Sequence, residues 1–218
     1  MKSHQALINQ LVKDLPNDSE SKNWDKKFWI VWFFFFFLTA VLTYASSLLF
    51  PQDIYLPHDL KNAQFWTEIT IWLLLSLASL RLTYLSALPG ANTTDTRNFC
   101  ISMAALISVA ILFHTSFTSL YLDFLTELNM SQGPCGIFIL TIGAIWTFAL
   151  ASMVRKAAPT NLSLTAVSLT LSTGAATTMF MHLFCRHESS SHIIMWHLIP
   201  LILLVFITHN ISPKIMRW

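Results

Sequence analysis

Charged side chains are scarce in this sequence. Asp, Glu, Lys and Arg make up 11% of its 218 residues, and apolar residues make up 54%. Soluble globular domains carry about 25% charged residues, so this composition excludes an ordinary water-soluble fold. The formal net charge of +2 contains no large basic excess, and we therefore expect no direct binding to nucleic acid.

The sequence also lacks the compact motifs of metal and redox enzymes. It contains neither a C-x-x-C pair nor an H-E-x-x-H pattern, and no nucleophile, base and orienting group converge along the chain. We therefore do not predict an enzyme. Paired charges, broken helices and internal repeats, which mark the binding sites of transporters, are also few. A small multi-pass transporter and a membrane thiol-redox protein remain the alternative functions.

Long apolar runs, in contrast, occur throughout the chain. Each of six runs is close to the roughly 20 residues that cross about 30 Å of hydrocarbon as an α-helix. The predicted fold class is therefore all-α, an integral membrane bundle of six transmembrane helices at residues 28–50, 65–88, 99–122, 135–154, 164–185 and 193–212. We divide the chain into an N-terminal segment (1–26), the six-helix domain (27–212) and a C-terminal tail (213–218).

Lysine and arginine are distributed unevenly between the two sides of this bundle. Ten of the 13 lie in the N-terminal segment, the second and fourth connections or the C-terminal tail, whereas the other side has only Lys61 and Arg186. Because cytoplasmic loops carry the positive excess, both termini are predicted to be cytoplasmic. The remaining residue, Arg81, falls inside the second helix, where it either snorkels toward the inner interface or pairs within the bundle.

The same topology separates the three cysteines. Cys100 opens the third helix at the inner face, whereas Cys135 opens the fourth and Cys185 closes the fifth, both at the outer face. The fourth and fifth helices share a short inner connection, so they are expected to form an antiparallel hairpin that brings the outer pair to a similar height. Disulfides persist outside the cytoplasm. The alternative is that each cysteine is a small apolar residue of a helix.

Histidines surround Cys185 in the sequence. Imidazole and thiolate are ligands for Zn²⁺ and other borderline or soft metals, so Cys185 with His182, His187 and His192 is a candidate metal site, with Cys135 near it. No cofactor is firmly predicted. The spacing of these residues permits a metal ion to bind as a signal. His114 and His197, inside the third and sixth helices, are of the residue type that ligates haem, but isolated histidines in bundles are more often hydrogen-bonded packing residues.

The pattern of apolar residues in the N-terminal segment predicts a short amphipathic helix. Between residues 3 and 15 apolar side chains recur at helical spacing, and Pro16 follows as a stop. The polar stretch 17–25 is expected to be a tether to the first membrane helix. The amphipathic helix either lies on the membrane surface or docks in the hydrophobic groove of a partner, which would stabilise so short a helix.

Several segments resemble the NrsF-like family of bacterial membrane anti-sigma factors. The resemblance covers nearly the whole chain, and its most specific part is the pair of outer cysteines together with the terminal Pro-x-x-x-Arg-Trp. The segments are 7–16 (LINQLVKDLP), Leu88-Pro89-Gly90, Cys135, 182–189 (HLFCRHES), Trp196-His197 and 212–218 (SPKIMRW).

This resemblance implies a function that the apolar pattern alone does not give. Members are six-helix inner-membrane proteins that hold an extracytoplasmic-function sigma factor inactive and release it under stress. By resemblance, Cys135 and Cys185 are the sensor cysteines. The N-terminal helix is the implied sigma-binding element, through Leu7, Ile8, Leu11, Asp14 and Leu15.

Overall fold

The computed structural model describes residues 18–49, 63–88, 91–114, 134–157, 159, 161–185 and 190–215, and within them the chain is helical. Six long helices are present in this described part: α1 (Asp18–Leu49), α2 (Ala63–Ala87), α3 (Thr94–His114), α4 (Pro134–Val154), α5 (Leu162–Phe184) and α6 (Ile199–Ile215). A single 3₁₀ turn, Arg155–Ala157, follows α4, and a π-helical segment, Ile193–Leu198, leads into α6. We call the latter the π turn.

Within the described part of the chain, five helical stretches are long and apolar enough to cross a membrane, and they coincide with five of the six predicted crossings. They are Lys26–Ser46, Phe65–Ala87, Pro134–Ala157, Leu162–Phe184 and Ile193–Ser212. The all-helical fold class is therefore confirmed. The crossing predicted at 99–122 corresponds to α3, which is described only as far as His114, so that crossing stays a prediction.

The first helix begins earlier than its apolar run. Residues 18–25, which we expected to be a tether, are helical, so that expectation is wrong from Asp18 onward. Extending an existing helix needs no new nucleation, and the acidic residues Asp18 and Glu20 stand at its positive end. The predicted amphipathic helix at 3–15, with its five partner-binding residues, lies outside the described residues.

The chain divides into two compact units, Met1–Phe35 and Phe36–Trp218. In the first unit, α1 carries neighbouring aromatic rings in edge-to-face contact, Phe28 with Trp29 and Trp32 with Phe33. In the second unit, the remainder of α1 packs on α5, where the ring centroids of Phe36 and Phe180 lie 4.7 Å apart.

The central helix of the second unit is α5. It packs against α2, α4 and α6, and 83% of its apolar span is buried, compared with 22% of the span Ile193–Ser212. This burial is unusual for a helix so rich in hydroxyl groups. Seven of its serine and threonine side chains are buried, at positions 165, 168, 170, 172, 173, 177 and 178.

Several of these hydroxyl groups join neighbouring helices. Thr83 of α2 donates to the Ser168 hydroxyl at 2.9 Å, and the hydroxyl groups of Thr147 in α4 and Thr173 lie 2.6 Å apart. Ser76 donates to the Ser172 carbonyl at 2.8 Å. Interhelical hydrogen bonds of this kind contribute about 0.6 kcal/mol each in membrane bundles. Their contribution to stability is therefore small, and their main effect is to fix the alignment of α5 with its neighbours.

Glycines let α6 and the π turn approach α4 and α5 closely. A Cβ atom at Gly174 of α5 would lie 2.2 Å from Leu201 Cδ1, and one at Gly143 of α4 would lie 2.9 Å from Leu204 Cδ2. A Cβ at Gly136 would lie 3.0 Å from the Trp196 ring of the π turn and 3.2 Å from Pro200 Cγ. Small residues at these positions fix the short separation between the helices.

The outer faces of the helices carry large apolar side chains. Several of them are more than half exposed, among them Phe37, Ile137, Phe148 and Phe206. Soluble monomers rarely expose apolar patches beyond a few hundred Å². The long apolar helices and their apolar faces are therefore compatible with membrane insertion.

Candidate functional site

Two cysteines meet at one end of the α4–α5 hairpin. Cys135 lies in the first turn of α4, and Cys185 is the C-cap of α5 with an extended backbone. Their Sγ atoms are 3.8 Å apart, and both residues are buried. All three cysteines of the chain belong to its described part, and none is in a disulfide.

Two histidines complete this group. The His192 Nε2 atom lies 3.2 Å from Cys185 Sγ, and the rings of His192 and His197 are 5.5 Å apart at their centroids. One donor atom from each of the four side chains lies within 4.8 Å of those of the other three. We call Cys135, Cys185, His192 and His197 the cysteine–histidine cluster.

The cluster is enclosed by apolar side chains. Ile139 and Met181 are buried against the two cysteines, and Phe138, Phe184 and Trp196 pack around them. Contact with the Cys135 thiol holds the pKa of the Cys185 thiol well below its usual value. Burial opposes this effect, and the hydrogen bond with His192 lowers the pKa further. A lower thiol pKa favours the thiolate, which is the nucleophilic and metal-binding form.

A second group of side chains adjoins the cluster. His182 Nε2 lies 2.7 Å from Glu68 Oε2 of α2, and the His182 ring stacks on Phe65 at 5.6 Å. The His182 ring also meets the edge of the His197 ring at a centroid distance of 5.9 Å. Glu68 thus adjoins the cluster through the His182 ring, which contacts His197.

The residues predicted as a metal site are divided by the structure. Cys185 and His192 come together with Cys135, whereas His182 lies against Glu68 and is not among the four grouped donors. His187 lies outside the described residues. Cys100 is distant from this end of the hairpin, buried beside Ala78 and Leu82 with a hydrogen bond from Ser79.

Arg81 lies away from the cluster. Its side chain is exposed on α2 and lines a crevice with Asp95 and Phe99 of α3. An exposed guanidinium near the end of an apolar helix is the arrangement expected for a snorkelling side chain.

His197 was not among the residues predicted for this site, and the reason is geometric. At 3.6 residues per turn, side chains five positions apart point about 140° away from one another. The π turn widens the helix between His192 and His197, as shown by the bond from the Ile199 N–H to the Ile194 carbonyl, and brings both rings to one face.

Pro200 is the sequence signal that could have indicated the wider turn. Proline removes the hydrogen bond to the carbonyl four residues earlier, and its ring clashes with that carbonyl, which here belongs to Trp196. The π turn comes directly before this point.

Two reactions suit a buried pair of thiols beside two imidazoles. Oxidation to a disulfide removes two protons and two electrons from the pair, and requires an external two-electron oxidant. Metal binding uses the thiolates and imidazoles together as ligands.

The fold and the cluster together define an apolar helical bundle with two buried cysteines in contact at one end. The family comparison gives this class a name: residues 11–218 match the NrsF family, described as negative regulator of sigma F. The chain therefore belongs to this family, as the resemblance predicted. Membership implies negative regulation of a sigma factor, which is a regulatory rather than an enzymatic activity. No curated protein and no solved structure matched the chain in the same comparisons.

Proposed function

We propose that this chain is an inner-membrane anti-sigma factor that holds an extracytoplasmic-function sigma factor inactive and releases it on a signal received by Cys135 and Cys185. The observation that carries this proposal is the 3.8 Å separation of the two thiols at one end of the hairpin. Family membership supports the regulation of a sigma factor, which we call the output. The thiol pair is the proposed site that receives the signal, which we call the input.

Charge distribution supports the orientation that this function requires. The 10 lysine and arginine residues on one side, against two on the other, favour cytoplasmic termini. Cys135 and Cys185 then lie at the outer face and the N-terminal segment lies at the inner face. One end of the bundle would then receive a signal outside the cytoplasm, and the other end would bind a partner inside it.

The N-terminal segment is the proposed partner-binding element. Leu7, Ile8, Leu11 and Leu15 recur at the spacing of one helical face, and Asp14 adds an acidic group beside them. An amphipathic helix of this kind gains stability when its apolar face enters a groove of a partner.

Release requires that the sigma factor bind one state of the bundle more tightly than the other. To change the bound fraction from nearly all to nearly none, the difference must be about 5.5 kcal/mol. The signal must therefore change how α4, α5 and the π turn are held together, because the cysteine–histidine cluster lies on these elements and on His192 just before the π turn.

Co-purification tests the output. The full-length protein, solubilised in detergent, is expected to retain a sigma factor that mass spectrometry identifies and that binds again when both purified proteins are mixed. Replacement of Leu7 and Leu11 by Asp should abolish this capture, whereas the same change at Asn9 and Gln10, on the polar side of the same predicted helix, does not. Capture that survives the N-terminal changes would refute the assignment of the tail.

A sigma-dependent reporter tests the input. Cys135→Ser and Cys185→Ser should each alter the induced response, since either change removes half of the thiol pair, and Cys100→Ser is the matched control. Normal induction in both outer variants contradicts sensing by these residues.

A further inference from the structure

We propose that Cys135, Cys185, His192 and His197 are the four ligands of one tetrahedral, thiophilic divalent cation of the Zn²⁺ or Cd²⁺ class. The regulatory meaning of this site rests on the proposed function, but metal binding itself does not. The inference differs from the sequence-based candidate site because it includes His197 and excludes His182.

The spacing of the donor atoms matches a tetrahedral centre. Bond lengths of about 2.3 Å to sulfur and about 2.0 Å to nitrogen give S–S edges of about 3.8 Å and S–N edges of about 3.5 Å. The observed Cys135–Cys185 separation is 3.8 Å, and Cys185 Sγ lies 3.2 Å from His192 Nε2. All four donor atoms lie within 4.8 Å of one another.

The histidine on the π turn is a second and independent observation. His197 is fully buried, no hydrogen bond of good geometry is described for its ring nitrogens, and its polar neighbour is the Cys185 thiol. Poor pairing of a buried polar group costs free energy. Coordination of a metal ion by one ring nitrogen reduces this cost, because a metal–ligand bond replaces a weak contact with a thiol. A ligand position here also accounts for the π turn, since π turns occur frequently at functional sites.

Charge favours a divalent ion. Two thiolates balance the charge of a divalent cation, and a neutral centre avoids the cost of burying a net charge among Ile139, Met181 and Trp196. Thiolate and imidazole ligands select borderline and soft metals over Mg²⁺ and Ca²⁺.

A disulfide between Cys135 and Cys185 explains fewer features of the site than a bound metal ion does. An S–S bond of about 2.05 Å requires the two sulfur atoms to approach from their 3.8 Å separation. It also uses neither histidine, so the buried His197 imidazole would gain no bond from it. The metal site involves all four side chains and leaves the two sulfur atoms at their present separation.

Adjacent residues hold this ligand set in place. Gly136 allows the first turn of α4 to lie against Trp196, which brings Cys135 to the π turn. His182 meets the edge of His197 and is itself fixed by Glu68 and Phe65. Partners behind the ligands of this kind orient them for the metal.

Titration with Co²⁺ tests the proposal on the purified, reduced, full-length protein in detergent. We expect one Co²⁺ per chain, with the visible absorption of tetrahedral cobalt and a thiolate-to-metal charge-transfer band. Cys135→Ser, Cys185→Ser, His192→Gln and His197→Gln should each lose the tetrahedral spectrum. Cys100→Ser and His209→Gln are the matched controls and should retain it. An octahedral spectrum in the wild type, or an unchanged spectrum in both histidine variants, overturns the four-ligand site.

X-ray absorption of the Zn²⁺-loaded wild-type protein provides a test that does not depend on the folding of any variant. The expected first shell contains two sulfur and two nitrogen donors, and any other donor set overturns the inference. Capture of the sigma factor by the metal-free protein is measured separately. If the protein binds the metal ion but does not capture a sigma factor, the proposed function is wrong and the metal site stands. If it captures a sigma factor but does not bind the metal ion, the metal site is wrong and the proposed function stands.

Discussion

Glu68 and His182 show how one carboxylate on a neighbouring helix contributes to the site without belonging to it. The Glu68 carboxylate has 29% of its side chain exposed, whereas the His182 side chain is nearly fully buried. The buried imidazole therefore depends on the carboxylate for a polar contact at Nε2, and this contact ties α2 to α5. Its loss should weaken the bundle.

Glu68→Ala is expected to lower the free energy of unfolding by about 1–3 kcal/mol, the cost of leaving a buried polar group such as the His182 imidazole without its contact. Denaturant titration of the detergent-solubilised protein measures this change. Glu68→Gln should recover part of the loss because its amide oxygen still accepts a hydrogen bond. Equal stability of the Ala variant and the wild type would contradict a structural role for the contact.

At the level of helices, much of the architecture could be predicted from the sequence, because runs of about 20 apolar residues have few alternatives in a bilayer. The ends of α2, α4 and α5 fall within two residues of their predicted positions. The helical state of residues 18–25 was not predicted because these residues are polar and would not start a helix alone, whereas they can extend one that the apolar run has already formed. His197 was missed because periodicity assumes 3.6 residues per turn, and a local π turn departs from it.

Pro200→Ala tests the link between the π turn and the cluster without altering a ligand. Alanine restores the N–H that pairs with the Trp196 carbonyl and favours a regular helix by about 3 kcal/mol. A regular helix rotates His197 away from His192, so Co²⁺ affinity should fall about tenfold or more. Equilibrium dialysis measures the affinity, with Pro213→Ala on the same helix as control. If Pro200→Ala binds Co²⁺ as tightly as Pro213→Ala, the π turn is not needed for the site.

For the whole molecule, orientation decides which side of a membrane each end of the bundle would face. The structure brings Cys135, Cys185 and the π turn to one end of the second unit, and the 3₁₀ turn Arg155–Ala157 lies at the opposite end of α4. The basic residues Arg155 and Lys156 are at that opposite end, where both are exposed. This separation of thiols and positive charge along one helix is what an outer sensor and an inner surface require.

Reporter fusions test this orientation. Green fluorescent protein attached after Trp218 is expected to fluoresce, and alkaline phosphatase at the same place to be inactive, because the former matures in the cytoplasm and the latter outside it. Fusions after Lys61 should show the reverse. Active phosphatase after Trp218 would invert the topology and place the cysteines at the inner face.

The stiffness of α5 has a consequence for how the two faces communicate. Its 23 residues form a rod about 35 Å long at 1.5 Å per residue, with Cys185 at one tip and the Asn161 cap at the other. Many of its lateral contacts are hydroxyl groups, such as Thr83 with Ser168, which exchange partners at little cost. We therefore expect an axial shift of about 1 Å at Cys185, within the range of known helix shifts, to be transmitted to Asn161, because the helix between them is continuous.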